Sequence, residues 1–138
     1  MKTGLVTVSE GRYTITEKGK DIIGFQKMDK SRAEKILRKA SPSTSFHFYI
    51  GLGQPLAAFS DNIVDLTNKL SSIDIRSIVF HFIRGDFESW IRFLEDLELA
   101  EQLKLIKEMN LTGEVLRKKL YITLKERCDK LIEKASQS

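Results

Sequence analysis

The helical character of this chain is clearest in the stretch DIRSIVFHFIRGDFESWIRFL, residues 74–94. In its first half, four apolar residues recur at the i, i+3, i+4 and i+7 spacing of one helix face: Ile75, Ile78, Val79 and Phe82. Asp74 is the expected N-cap of this helix, and Gly85 is its expected end. A strand is the alternative interpretation, because β-branched and aromatic residues dominate this half.

The second half of the stretch predicts another helix. Asp86 is its expected N-cap, and four large apolar residues are expected to face inward: Phe87, Trp90, Ile91 and Leu94. Trp90 is the single tryptophan of the chain, and we expect it to anchor the core. Short connections of this kind favour antiparallel neighbours and hence a helix bundle.

Three further helices are predicted on either side of this pair. Upstream, Ser60 is the expected N-cap of a helix with Ile63, Leu66 and Leu70 on its core face. Downstream, Asp96 and Thr112 are expected to open two more helices. The last of these carries one apolar stripe, which consists of Leu116, Leu120, Leu124, Cys128, Leu131 and Ala135.

Before residue 60 the pattern indicates β structure as well. Residues 5–8 and 12–16 are rich in β-forming residues and flank a glycine-containing loop, which predicts a β-hairpin. Residues 46–50 alternate between apolar and other side chains, so they are a candidate third strand that can pair with this hairpin and ends in a turn at 51–55. Between them, Asp29 is the expected N-cap of a helix that stops before Pro42.

The expected fold class is therefore mainly α. It is a compact bundle of about five helices, with an N-terminal β-hairpin and a candidate third strand at residues 46–50. The polar residues 41–45 are the candidate boundary between a basic hairpin-plus-helix segment, 1–40, and a helical domain, 45–135. One continuous domain is the alternative, since 138 residues are the size of one ordinary domain.

The amino-acid composition restricts where in the cell the protein can reside and which metals or cofactors it can bind. No stretch approaches the roughly 20 apolar residues of a membrane span, and the N-terminus lacks the apolar core of a secretory signal. A single cysteine excludes an internal disulfide, so we expect a cytoplasmic protein without a membrane partner. His47 and His81 have no second ligand at metal-binding spacing, and Gly51-Leu52-Gly53 is only a fragment of a phosphate-binding loop. We therefore expect no metal site and no cofactor.

The charge of +4 is unevenly distributed. Residues 1–40 carry 10 basic and 5 acidic side chains, whereas residues 41–100 carry 4 basic and 8 acidic ones. A basic end of this kind can mark a nucleic-acid contact, but solvated helix faces are the commoner explanation and the one we favour. The candidate contact residues are Arg12, Lys18, Lys20, Lys30, Arg32, Lys35, Arg38 and Lys39.

Residues 13–20, YTITEKGK, resemble the end of a winged-helix domain, where the second strand of the wing runs into a helix. The resemblance implies that Arg12, Lys18 and Lys20 contact phosphate or the minor groove. A winged helix places its recognition helix before the wing, and this chain begins at Met1. We therefore expect no sequence-specific reading of the major groove by this chain alone.

The densest polar cluster of the sequence comprises His81, Arg84, Asp86 and Glu88, beside Trp90. In a shared pocket, the two carboxylates can act as acid and base while Arg84 holds an anion or a partner. The structural alternative is that Asp86 caps a helix, Arg84 pairs with a carboxylate and His81 lies on a partly buried face. N-cap aspartates are far commoner than catalytic ones, so we expect no catalytic residue here.

Three segments carry a family resemblance: residues 46–51, 77–91 and 99–100. On them, the chain from residue 46 to about 127 resembles a family of archaea and bacteria that is described only as a domain of unknown function. The resemblance implies a small accessory helical domain and no activity. Residues 93–96 lack the glycine expected before the aspartate of that family's pattern, and we expect a tighter or helical turn there.

The sequence thus favours a non-enzymatic interaction or regulatory module, because a complete helical core comes without an assembled catalytic site. Its expected partner is a protein or a second copy of the chain, since strands at an edge can pair between chains. A nucleic-acid-binding accessory protein that uses the basic N-terminal segment is the alternative. An enzyme or anion site at His81, Arg84 and Asp86 is the third hypothesis.

Overall fold

The structure is a computed structural model, and it describes residues 27–137. This part of the chain is mainly α-helical and contains one antiparallel β-hairpin. The strands are β1 (Phe46–Gly51) and β2 (Gln54–Ser60), and a short 3-10 turn, Pro42–Thr44, precedes them. The helices are α1 (Lys30–Ile36), α2 (Ile63–Leu70), α3 (Ile75–Arg84), α4 (Asp86–Phe93), α5 (Leu97–Lys107) and α6 (Gly113–Ala135).

Side-chain caps begin four of these helices. The carboxylate of Asp29 accepts a hydrogen bond from the Arg32 backbone N–H at 2.8 Å, and that of Asp96 accepts one from the Leu99 N–H at 3.1 Å. Asp74 caps α3 in the same way, so three of the predicted N-caps are confirmed. The predicted end of α3 at Gly85 is also confirmed, because this glycine takes a left-handed φ of 82°. The strand alternative for residues 75–84 is wrong.

Two other predicted caps are wrong. Ser60 is the last residue of β2, and Asn62 caps α2 by accepting from the Asp65 N–H at 2.8 Å. Gly85 occupies the N-cap position of α4, and Asp86 is the first residue of the helix. The carboxylate of Asp86 contacts His81 instead of capping the helix. Thr112 does precede α6, but its side chain makes no cap hydrogen bond.

The hairpin lies directly before the helices. The predicted strand at 46–50 is confirmed as β1. Residues 54–60 form its partner strand, which differs from the predicted turn at 51–55 and the predicted helix cap at Ser60. In the ladder, Phe46 pairs with Ser60 and His47 pairs with Phe59. Pairing with a hairpin at residues 5–16 lies outside the described residues, as do the wing-like segment and its three basic residues.

The core is continuous from the hairpin to the last helix. One cluster of buried residues includes Phe46 and Phe48 of β1, Trp90 of α4 and the buried face of α6. The apolar stripe of α6 is confirmed, since Leu116, Leu120, Leu124, Cys128 and Leu131 are buried, and Ala135 at its end is half-buried. Within residues 27–137, no helix has both the length and the apolar composition to cross a membrane.

The first described helix packs on the last one. Ala33 and Ile36 of α1 are buried against Leu131 of α6. This contact ties residues 30–36 to the C-terminal half of the bundle, so the basic face of α1 lies beside the turn between α4 and α5.

Candidate functional site

His81 joins three elements at the centre of the described structure. It lies on α3 with 4% of its surface exposed. Its Nε2 accepts a hydrogen bond from the backbone N–H of Tyr49 on β1 at 2.8 Å. Its Nδ1 lies 2.8 Å from Oδ2 of Asp86 on α4. Because a backbone amide can only donate, Nε2 carries no proton, and the proton of the neutral ring is on Nδ1 and is donated to Asp86.

The surroundings of His81 favour this neutral form. Burial lowers the pKa of His81, and this effect outweighs the hydrogen bond and charge of Asp86, which favour the imidazolium. Four phenylalanine rings surround the imidazole at centroid distances of 4.8 to 6.3 Å: Phe46, Phe48, Phe80 and Phe87. Protonation would place a second N–H against the amide of Tyr49 and break that bond.

Arg84 shares the carboxylate of Asp86. Its Nε lies 3.2 Å from Asp86 Oδ2, and its guanidinium lies 4.8 Å from the ring centroid of Phe80. The side chain of Arg84 is 47% exposed, and its terminal nitrogens donate no hydrogen bond to any group within residues 27–137. The guanidinium is therefore positioned by an aromatic face and a carboxylate while its outer edge remains available to a ligand.

These residues border an open cavity of about 600 Å³, which we call the aromatic groove. Its walls come from the 3-10 turn, the hairpin, α3 and α4. The rings and the apolar side chain that line it are Phe46, His47, Tyr49, Leu52, Phe80, Trp90 and Phe93, together with the polar residues His81, Arg84 and Asp86. Its volume and its apolar walls with few polar groups are typical of binding sites.

Trp90 closes the base of the aromatic groove. Its indole N–H donates to the carbonyl oxygen of Thr44 at 2.9 Å, and its ring packs edge-on against Phe46. The predicted burial of Trp90 is confirmed. The residue therefore fixes the 3-10 turn to α4 and also lines the groove.

Glu88, the remaining member of the sequence cluster, lies apart. It does not line the aromatic groove, and its carboxylate accepts from Arg92 one turn further along α4 at 3.2 Å. Arg92 in turn donates to Glu101 on α5 at 2.8 Å. The structure thus brings together His81, Arg84, Asp86 and Trp90 and places Glu88 in a separate surface network.

The hydrogen bonds of His81 limit the proton chemistry that this residue can perform in the groove. Both ring nitrogens of His81 are used in fixed hydrogen bonds, so the buried histidine has no free lone pair for a substrate proton. Cys128 lies elsewhere in the core, where burial raises the pKa of its thiol and keeps it protonated. Among residues 27–137, no group of three or more histidine, cysteine, aspartate or glutamate side chains could hold a metal ion.

The described basic residues of the N-terminal segment mostly contact the protein itself. Arg38 donates to the carbonyl oxygens of Phe93 and Leu94 at 3.2 and 3.3 Å, where α4 ends. Arg32 donates to the carbonyl oxygen of Glu95 at 3.2 Å, and Lys35 pairs with the carboxylate of Glu95 at 3.1 Å. Lys39 lies 3.8 Å from Asp61, and Lys30 is exposed.

Sequence reasoning missed the exposed rim of the groove. Leu52 is 79% exposed at the tip of the hairpin, and Phe93 is 44% exposed at the end of α4. The signal that could have found Leu52 is a large apolar residue between two turn glycines, where a solvated loop normally carries polar side chains.

The described residues form a small, mainly α-helical domain. Its β-hairpin packs on a buried histidine and forms one wall of the open aromatic groove. The model of the family described as "Family of unknown function (DUF5752)" matches residues 21–125, and this chain belongs to that family. The resemblance drawn from residues 46–51, 77–91 and 99–100 is thereby confirmed. No curated protein and no solved structure is similar enough to this chain to count as a match.

Proposed function

We propose that this protein is a non-enzymatic interaction module of the cytoplasm that binds a short segment of a partner protein in the aromatic groove. The observation that carries the proposal is the groove itself, an open space of about 600 Å³ with aromatic walls. Cavities of this size and composition bind ligands through apolar contact and a few fixed polar groups.

The exposed rim supports a protein partner. Leu52 and Phe93 present large apolar surfaces to water at the mouth of the groove. Apolar side chains that border a concave, ring-lined surface are typical of protein-interaction sites, where aromatic residues contribute most of the binding energy.

Arg84 defines the polar end of the expected partner segment. Its guanidinium is positioned by Phe80 and Asp86 but retains terminal N–H groups without a partner in the described part of the chain. A carboxylate can accept two parallel hydrogen bonds from such an edge. The segment that fits best therefore has a large apolar side chain for the ring-lined space and an acidic residue close to it.

The test compares three forms of the tagged protein in cells of the native source. Leu52→Asp places a charge at the mouth of the groove, and Val115→Asp makes the same kind of change at a residue of α6 that is 62% exposed and lies outside the groove. The captured partner is identified by mass spectrometry, and peptides that tile its sequence are titrated against the purified protein with the fluorescence of Trp90 as the signal.

We expect one peptide to change the Trp90 fluorescence and to bind the wild type and the Val115→Asp variant equally. Leu52→Asp should weaken this binding at least tenfold, because the carboxylate would have to lose water against an apolar ligand. Equal capture by the Leu52→Asp variant would overturn the proposal.

Binding of nucleic acid is the alternative, and it stays a prediction. Its candidate residues Arg12, Lys18 and Lys20 lie outside the described residues. Of the described candidates, Arg32 and Arg38 donate to backbone carbonyls, which leaves less of the basic face for phosphate. A gel shift with duplex and single strands at low salt tests it, since phosphate contacts weaken steeply with salt.

A further inference from the structure

A second groove runs between α5 and α6 on a surface that shares no lining residue with the aromatic groove. We propose that it binds an amphipathic helix of a partner protein that carries an acidic residue near each end of its apolar face. The α5 wall presents Leu105 and Ile106, the turn after α5 adds Met109, and the α6 wall presents Lys119, Thr123 and Lys130. We call it the helical groove.

The apolar floor of the helical groove is open to water. Leu105 is 63% exposed and Met109 is 51% exposed, whereas Ile106 between them is buried. Leu105 lies in the last turn of α5 and Met109 in the turn that follows the helix, and both present apolar surface to the groove. Methionine at such a surface adapts to different partner side chains.

The two walls are held rigidly in antiparallel orientation. Arg127 of α6 donates two hydrogen bonds of 2.8 Å to the carboxylate of Asp96, which caps the start of α5. At the other end, residues 108–112 connect α5 directly to α6. A groove between two helices that are fixed to each other can accept a third helix.

The charges on the α6 wall determine where the bound helix should carry its acidic residues. Lys119 and Lys130 are exposed and form no ion pair within residues 27–137, and Arg127 between them is already paired with Asp96 and Glu98. Glu126 also lies in the middle of this wall. An acidic partner residue is therefore favoured opposite each lysine and disfavoured between them.

The spacing of the lysines sets the size of the partner helix. Lys130 lies eleven positions after Lys119, which is roughly 16 Å or three helical turns. A bound helix should place its two acidic residues about 11 positions apart. Its apolar residues should lie on the same face between them, three, four and seven positions after the first acidic residue.

The inference is tested with a designed probe. The probe is a fluorescein-labelled helical peptide with glutamate at positions 2 and 13 and leucine at positions 5, 6 and 9, in an alanine and glutamine background. Its charge-reversed form has lysine at positions 2 and 13. Fluorescence anisotropy gives the affinity of each peptide for the full-length protein at low and at physiological salt.

Matched variants locate the binding site. Lys119→Glu and Lys118→Glu make the same charge change at neighbouring exposed residues of α6, but only Lys119 lines the helical groove. We expect Lys119→Glu to weaken binding of the acidic peptide roughly tenfold and Lys118→Glu less than twofold. Leu105→Asp should weaken it more than tenfold, and circular dichroism should show an unchanged fold.

Two results would overturn the inference. One is equal binding of the acidic and the charge-reversed peptides, and the other is an equal effect of Lys118→Glu and Lys119→Glu. Leu52→Asp separates this inference from the proposed function, because it should leave the peptide affinity unchanged while removing the partner of the aromatic groove.

Discussion

His81 connects the hairpin to the helices through a single side chain. One ring nitrogen accepts from Tyr49 of β1, and the other donates to Asp86 at the start of α4. The bond to Tyr49 also satisfies a backbone amide on a strand edge, which would otherwise need water or a partner strand. The position of β1, and with it one wall of the aromatic groove, therefore depends on a neutral His81.

The pH dependence of stability follows from this arrangement. The pKa of His81 lies below its ordinary value of about 6.5, because burial opposes the charged ring and outweighs the favourable effect of Asp86; Arg84 lowers it further. The unfolded state then binds the proton more readily than the folded state. Full stability is therefore expected above about pH 6.5, with a progressive loss as the pH falls below it.

Urea denaturation between pH 8 and pH 5 measures this effect. The two histidines of the chain supply the control, since His47 is exposed, stacks on Phe59 and contacts the carbonyl oxygen of Pro42 through Nε2. The His47→Gln variant should retain the loss of unfolding free energy below pH 6.5, and the His81→Gln variant should lack it. A pH-independent wild type over this range would contradict the role assigned to His81.

Trp90 gives the second prediction at the scale of single residues. Trp90→Ala should cost about 3–5 kcal/mol of unfolding free energy, because it leaves a large cavity beneath the groove. Trp90→Phe should cost less, since it keeps most of the buried ring and loses the hydrogen bond to Thr44. Chemical denaturation checks both values, and a loss under about 1 kcal/mol for the alanine variant would show that Trp90 is not a core anchor.

At the scale of elements, arginine side chains stabilise several helix ends. Arg38 donates to the last carbonyls of α4, and Arg117 of α6 donates to the carbonyl oxygen of Leu70, the last residue of α2, at 2.8 Å. Arg127 binds the cap residue Asp96. Because carbonyls at a helix C-terminus lack partners within the helix, each of the first two contacts fixes one helix against another.

The turn between α4 and α5 shows how an unusual residue is accommodated. Glu95 takes a left-handed φ of 78° at the position where the resemblance led us to expect glycine. The Asp96 N–H donates back to the Ile91 carbonyl, which closes the turn, and Arg32 and Lys35 bind Glu95 from α1. The expectation of a tighter or helical turn is therefore replaced by a left-handed helix end.

The ion pair of Arg127 with Asp96 yields a prediction at the same scale. Asp96 is 1% exposed, so Asp96→Ala removes a helix cap and leaves Arg127 buried without its main partner. The expected cost is about 3–5 kcal/mol, measured by urea denaturation. Asp129→Ala, which breaks the exposed pair with Lys125, should cost much less, because water screens an exposed pair. Similar costs for the two variants would contradict the importance of the buried pair.

Helix positions were predictable because their signals are local. Capping aspartates and apolar residues at helical spacing lie within a few residues of the structure that they specify, as at Asp74 and Asp96. Strand β2 was missed because Pro55, Ala57 and Ala58 have low strand propensity, and β1 supplies the pairing that makes this segment a strand. The cap of α4 was mistaken because His81, five residues away, uses the carboxylate of Asp86.

At the scale of the whole molecule, folding brings opposite charges of distant segments together. The sequence has basic ends and an acidic middle, and the structure pairs Lys35 with Glu95, Lys39 with Asp61 and Arg127 with Asp96. Part of the charge asymmetry is therefore satisfied within the chain. The exposed pairs of Lys35 and Lys39 contribute little individually, whereas the pair of Arg127 with Asp96 is largely withdrawn from water.

The candidate site was only partly predictable at this scale. His81, Arg84, Asp86 and Trp90 are close in sequence, so their grouping could be anticipated. Tyr49 and Leu52 come from a hairpin about 30 residues earlier, and their place in the same groove depends on how β1 packs on α3. Contacts of this kind arise from tertiary packing, which no local pattern of the sequence encodes.

The most direct test of the central claim is the footprint of the bound partner, measured by amide hydrogen exchange on the full-length protein. Binding in the aromatic groove predicts slower exchange in residues 43–53 and 80–93, with little change along the α5 and α6 walls of the helical groove. The same experiment with the Leu52→Asp variant should show no protection. Protection confined to other parts of the chain, or equal protection in that variant, would contradict the claim that the aromatic groove is the binding site.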